Sequence, residues 1–491
     1  MALHTFFDNL FSYLFTPDPL FGFCSIRFWI LFVVFFALFL LIRKDRRHMM
    51  QVYVVLFSLL IAYCVNCWLM LLLPLTAFLS WYMTEMMKTS GGGKYARRWL
   101  TATIIIALVP LVFFKYCDFL TGTVNSIFGS GINPLQLTAV VGLSYYTFQA
   151  ISYSVDVYKG KVDYDVDLLE YIFYITFFPL LFCGPITRTN TLIPQLRADH
   201  QPNPKLPGIG FWLIILGLLK KGLIADYIGQ YVNWIFEDPN GFSGFEVAFG
   251  AVGFTAQLYC DFSGYCDIAI GIASLMGFEL LANFDFPFKS QNITEFWHRW
   301  HIALSTWFRD YVYIPMGGNR CGSFRTYLNN FITMLVAGLW HGASWMFVIW
   351  GALHGLGLVV HKTLRKRFLD KIPDSWPVRA FCIFLTVVFF IFTLVFFRSP
   401  DLATAMDIFS KSLTDFDWAY FPPFWERRTL LVIFLFLAYF LHYTPKRWHD
   451  RLKSFVVDSH WIVKLIIFAV TVQLVINFSQ ANVQPLLYAQ F

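Results

Sequence analysis

The stretch Ile293–Arg320, ITEFWHRWHIALSTWFRDYVYIPMGGNR, carries His298 and His301 three residues apart, together with Trp297, Trp300 and Trp307, several arginines and a Gly-Gly turn. Both flanks are strongly apolar. Further along, GLWHGASWMFVIWGALHG places His341 inside an apolar run, Asn330–Ile349, with no flanking charge. A neutral imidazole, with an unperturbed pKa of about 6.5, can act as a general base at physiological pH. His301 sits in its own polar–aromatic cluster, with Trp297 and Ser305 about one turn away on each side. Two such histidines flanking one connection suggest a shared site. The plainer alternative is that His341 is a core histidine satisfied by a hydrogen bond, and the polar neighbours weigh against it.

A metal is a weaker reading of the same residues. His298 and His301 form an HxxH at helical spacing, which can put both on one face. A catalytic zinc wants three protein ligands. Glu295 precedes His298 but makes no HExxH pattern, so no metal is expected. Cys64 and Cys67 form a CxxC, but it lies within the apolar IAYCVNCWLMLLL, where small packing residues are the better reading. No disulfide is expected among the nine cysteines.

The turn Met316–Arg320, with Arg309, Arg320 and Arg325 around it, makes a basic loop that the positive-inside rule assigns to the cytoplasm. A basic mouth leading to a buried histidine would suit an anionic donor, such as a coenzyme A thioester or an acyl carrier protein. Alternatively these arginines only orient the loop. Other ionisable residues fall within apolar sequence, where they are costly and usually mark function. They are Asp156 and Lys159 beside Gln149, then Lys220, Lys221 and Asp226, then Asp261 and Asp267.

The elements that position these groups are membrane helices. Of 491 residues, 58% are hydrophobic and only 14% charged, against about 25% charged in a soluble domain. Mean hydropathy is +0.59. A soluble fold is excluded, and the net charge of +7 sits between apolar segments rather than in a nucleic-acid footprint. Apolar runs recur near 27–42, 50–69, 70–86, 99–117, 135–153, 168–186, 208–227, 245–259, 264–282, 328–350, 380–397, 429–443 and 461–478. Several are short for a bilayer crossing, and FFPLLFCGPI and LYCDFSGYCDIAIG read as broken. The expectation is an all-α polytopic membrane protein, a single domain over 1–491, with about 11 transmembrane helices plus re-entrant or short helices. Residues 1–26, including HTFFDNLFSYLF, read as an interfacial segment rather than a signal peptide. RKDRRHMM after the first span puts that end in the cytoplasm. Gly338, Gly342 and Ser344, then Gly351 and Gly355, offer small surfaces for close helix packing.

FWHRWHIALSTWFRDYVYIPMGGNR and GLWHGASWMFVIWGALHG resemble the signature of the membrane-bound O-acyltransferase family, and specifically its bacterial alginate O-acetyltransferase-like branch. GLSYYTFQAISYSVDVYKGK, FFPLLFCGPITR, GLLKKGLIADYI, YCDFSGYCDIAIGIASLMGF, FTLVFFRSPDLATAM and the closing QPLLYAQF look like further family blocks in the family's order, covering about 142–491. The resemblance implies a helix bundle around a central tunnel. The family's invariant histidine falls on His341 and its second functional position on His301. Trp297, Trp300, Ser305, Arg309, Asp310, Asn319, Trp340 and Asp261 are the accompanying tunnel or substrate candidates. Trp307 and Trp345 join Trp297, Trp300 and Trp340 as aromatic walls. One departure is His298, where close relatives commonly carry Arg.

The implied activity is transfer of an acyl group, foremost acetyl, from a cytoplasmic thioester across the membrane toward hydroxyls of an extracytoplasmic polysaccharide. The donor would be acetyl-CoA or an acyl carrier protein thioester, with no resident cofactor. The resemblance also implies a partner with an SGNH-hydrolase-like domain, multi-pass residence in the bacterial cytoplasmic membrane and contact with its lipids. No nucleic acid is involved. Alternatives within the family are D-alanyl transfer to teichoic acid and lipid acylation. A transporter or export subunit is the alternative from another class, and the lack of a visible internal repeat counts against it.

Overall fold

The computed structural model describes residues 9, 12–18, 21–42, 46–181, 183–198, 203–368 and 371–478, except for the Lys366 side chain. HTFFDNLFSYLF lies largely outside them. So do Arg43, Lys44 and Asp45 of the basic run, and the closing QPLLYAQF. Among the described residues every regular element is helical, as mean hydropathy and the family blocks led one to expect. The chain forms two compact units, one of Met1–Leu206 with Ile272–Leu280, the other chiefly Pro207–Gly271 and Leu281 onward.

In the first unit, α1 is Ile26–Leu41, α2 Arg47–Asn66, α3 Leu72–Thr89, α4 Gly93–Leu111, α5 Cys117–Phe128, α6 Leu143–Tyr158, α7 Leu168–Thr176, α8 Phe178–Leu181 and α9 Thr189–Arg197. Cys67, at φ 51°, interrupts the path from α2 to α3. Hydroxyls tie the helices together: Ser80 meets Tyr171 at 2.9 Å and Thr84 meets Ser154 at 2.8 Å. FFPLLFCGPI is broken, as read from the sequence, with α8 only four residues long. Gly142 is obligatory before α6. Its φ is 87°, and a Cβ there would lie 2.6 Å from the Leu181 carbonyl oxygen.

The second unit holds all but the first residue of α10 Leu206–Leu218, then α11 Asp226–Glu237, α12 Gly244–Leu275 up to Gly271, α13 Ile293–Arg299, α14 Ile302–Phe308, α15 Gly322–His341, α16 Trp345–Arg367, α17 Trp376–Arg398, α18 Leu402–Thr414, α19 Phe421–Tyr443, α20 Lys446–Asp458 and α21 Trp461–Phe478. Two expectations fail here. The runs 245–259 and 264–282, read as separate and broken, are one 32-residue helix. Its glycines are contact points rather than breaks: a Cβ on Gly264 would sit 2.9 Å from the Gly217 carbonyl oxygen. Conversely, the run 328–350, read as one span, is two helices. Gly342 is extended at φ −161°, ψ 151°, and Ser344 caps α16 by accepting from Met346 N at 3.2 Å. His341 therefore ends a helix instead of lying midway along one. The small residues work as expected but between adjacent halves, α15 against α16. A Cβ on Gly338 would meet the Phe347 carbonyl at 2.3 Å, and one on Gly351 the Met334 carbonyl at 2.5 Å.

Six helical stretches are long and apolar enough to cross a membrane among the described residues. Arg47–Thr89 alone runs 43 residues, about twice the ~20 that one crossing needs. All nine cysteines are thiols.

Candidate functional site

The second unit assembles the histidines. Asn292 caps α13 by accepting from Glu295 N at 2.9 Å, and the helix ends at Arg299. Trp300 is extended, and His301 takes a left-handed conformation at φ 42°, ψ 55° before α14 begins. His298 and His301 therefore do not share a helix face, contrary to the HxxH reading, and Trp297 and Ser305 lie on different helices. No cluster of three potential metal ligands occurs among the described residues.

His301 is fully buried. Its ring meets Phe262 at 4.7 Å and Trp340 at 6.2 Å between centroids. Its Nδ1 lies 3.1 Å from Asn283 Oδ1. His341 is 4% exposed and packs against Trp340 at 4.9 Å, Trp350 at 4.9 Å and Phe397 at 5.4 Å. The two histidines, forty residues apart, thus rest on the same indole.

The other candidates are scattered around this pair. Trp297 is buried against Trp350 and His354, at 5.8 and 5.2 Å. Trp300 is built into the aromatic core, 5.1 Å from both Phe284 and Phe390. Ser305 Oγ donates to the Trp300 carbonyl at 3.2 Å. Arg309 is largely exposed and pairs with Asp310 at 2.8 Å. Asn319 is exposed in the turn, where Gly317 and Gly318 take φ of 104° and 54°. Trp307 is buried, but Trp345 is 58% exposed, so it walls off nothing.

Asp261 belongs to a buried charge network. Lys221 Nζ lies 2.6 Å from both Asp226 and Asp261, and Lys220 Nζ 2.7 Å from Asp267. The lysines sit in a π-helical turn, Leu219–Ala225, that joins α10 to α11. One residue beyond Asp261, Phe262 carries the ring that touches His301. The network thereby braces the helix behind the site.

Two polar residues went unnoticed in sequence. His354 is fully buried 4.5 Å from Trp350, with Nε2 3.0 Å from Thr393 Oγ1. Asn283 is 2% exposed. The only signal for His354 is spacing: it follows Trp350 by four residues and lies on the same face of α16.

A cavity of about 260 Å³ is lined by residues of α13 to α16, with neither His301 nor His341 among them. Trp297, Ser305, Met334 and Leu358 supply apolar and hydroxyl wall, and His298, Arg309 and Lys362 supply positive or protonatable groups. Lys362 is held by Asn330 Oδ1 at 2.9 Å.

A helical membrane chain that buries two histidines in an aromatic enclosure has the makings of an acyl-transfer enzyme. Residues 161–398 match the membrane-bound O-acyltransferase family. The chain is 36% identical over 422 residues to the "Probable alginate O-acetylase AlgI" of Pseudomonas putida, covering 81% of this chain and 85% of that one. It is 35% identical to the protein of that name from Pseudomonas aeruginosa, over 84% of this chain and 75% of the relative. A peptidoglycan O-acetyltransferase of Helicobacter pylori is 33% identical over 64% of each chain. The chain belongs to the membrane-bound O-acyltransferase family and is an O-acyltransferase.

Proposed function

We propose that this enzyme moves an acetyl group from a cytoplasmic thioester, acetyl-CoA or an acyl carrier protein, toward hydroxyls of an extracytoplasmic polysaccharide. His341 is the general base. The attacking hydroxyl oxygen adds to the thioester carbonyl as its proton passes to His341. The C–O bond forms, the C–S bond breaks, and the proton leaves with the thiolate. His301 orients the hydroxyl. Trp297, Trp340 and Trp350 keep water from the thioester. The observation that carries this reading is the convergence of His301 and His341 on Trp340 inside a ring-lined enclosure.

The cavity bearing His298, Arg309 and Lys362 supports an anionic donor, whose phosphates would meet these groups. The printed names of the relatives, alginate and peptidoglycan acetylation, support a polysaccharide acceptor. Residence in the bacterial cytoplasmic membrane, as a single multi-pass domain among its lipids, follows from the same reading. So does a final acetyl transfer by an SGNH-hydrolase-like partner.

The test follows consumption of radiolabelled acetyl-CoA by purified protein in nanodiscs, comparing wild type, His341→Ala and His301→Ala at equal folded amounts. Turnover in wild type and loss in His341→Ala is the expected result. Turnover only with a charged carrier protein moves the donor to that class. Full activity in His341→Ala overturns the mechanism.

A further inference from the structure

His301 is one of four described non-glycine residues with positive φ, and one neighbour accounts for its placement. Asn283 grips the turn three times. Its carbonyl oxygen accepts from Ile302 N at 2.9 Å. Its side-chain Oδ1 accepts from Ala303 N at 3.1 Å and lies 3.1 Å from His301 Nδ1. Its Nδ2 donates to Cys266 Sγ at 3.3 Å.

This set of contacts decides a proton. A backbone N–H only donates, so the Asn283 atom facing Ala303 is the oxygen. An amide oxygen only accepts. The His301 Nδ1 beside it must therefore carry hydrogen, and in a neutral imidazole Nε2 is then the bare nitrogen. Phe262, Phe284 and Trp340 pack on the ring and do not titrate, and the Cys266 thiol sits behind Asn283.

We propose that Asn283 is a positioning residue that holds His301 in the Nδ1-protonated tautomer, so that Nε2 is an acceptor for a second hydroxyl of the sugar while the attacking hydroxyl gives its proton to His341. This rests on the acyl-transfer reading above. It selects among His301 roles: Nε2 accepts a hydrogen bond from the sugar beside the attacking hydroxyl and does not donate to the thioester carbonyl.

Two variants test it in nanodisc-embedded full-length protein. Asn283→Asp keeps an oxygen for Ala303 N–H and so keeps the turn, but sets a carboxylate against Nδ1–H. The imidazole becomes more basic. The acid limb of the kcat/KM profile then moves to higher pH, since activity is lost once Nε2 is protonated. Asn283→Ala removes the acceptor and lowers kcat by about 10²-fold or more, in line with the cost of a wrong tautomer, while KM changes little. ¹⁵N spectra of histidine-labelled protein, assigned with His301→Gln, read the tautomer without any turnover. Bare Nε2 in wild type, lost in Asn283→Ala, supports the proposal. A wild-type His301 protonated at Nε2, or an Asn283→Asp profile superimposable on wild type, overturns it. If wild type consumes no thioester, that failure belongs to the acyl-transfer reading, and the ¹⁵N spectrum alone then decides whether Asn283 holds His301.

Discussion

The His341 imidazole meets the Trp350 indole edge-on, with ring centroids 4.9 Å apart and planes at 87°. Trp350 is 2% exposed and also touches Trp297, His354 and Phe397. Truncation to alanine opens a large hole beside His341. Trp350→Ala should cost about 3–5 kcal/mol and lower acetyl transfer further than the lost folded fraction explains. Trp350→Phe should retain much of both. Thermal unfolding in detergent and initial rates at equal folded amounts check this.

His341→Ala should reduce acetyl-CoA consumption by about 10²–10⁴-fold, the usual worth of a positioned general base, with its unfolding temperature close to wild type. An equal fall in unfolding temperature and rate would make His341 a packing residue.

Lys221 bridges Asp226 and Asp261 from a buried position. Lys221→Met leaves two carboxylates in low dielectric without their cation. Breaking a buried pair in this way costs about 3–5 kcal/mol. The expected outcome is poor yield and early unfolding, relieved in part by adding Asp226→Asn and Asp261→Asn. Wild-type stability in Lys221→Met would mean the network is more hydrated than its burial implies.

Close packing of α15 on α16 leaves no room at Gly338, where a Cβ would lie 2.3 Å from the Phe347 carbonyl. Gly338→Ala should destabilise by about 1–3 kcal/mol through overpacking. It should also lower the transfer rate, because the same hairpin carries His341. Size-exclusion profiles, unfolding curves and rates would show it.

The basic rim of the cavity makes a different kind of claim. Lys362→Ala and Arg309→Ala should raise KM for acetyl-CoA with kcat little changed, and added salt should raise the wild-type KM by screening the same charges. A KM unaffected by salt and by both substitutions would place the donor elsewhere.

Much was legible in sequence for a physical reason: hydropathy and turn chemistry are local. The charge deficit alone excluded a soluble fold. MGGNR announced its turn, realised by positive φ at Gly317 and Gly318. The blocks around His301 and His341 carried the family. Small residues at Gly338 and Gly351 announced close helix contact.

Helix ends and side-chain partners were not legible. In a membrane chain apolar residues surround a helix on all sides, so the periodicity that marks an amphipathic helix fades. The glycines of α12 therefore looked like breaks and proved to be contact points, while the true break at Gly342–Ser344 looked like continuous span. Nothing local showed that His301 would leave the helix, that Lys221 would bridge Asp226 and Asp261, or that Asn283 would clamp the His301 turn. The Asn283–His301 and Lys221–Asp261 contacts join residues 18 and 40 positions apart. The sequence by itself determined the solvent, the helical class and the chemistry available. Only the tertiary structure decided which groups meet, because that depends on hydrogen-bond and ring partners brought together by packing.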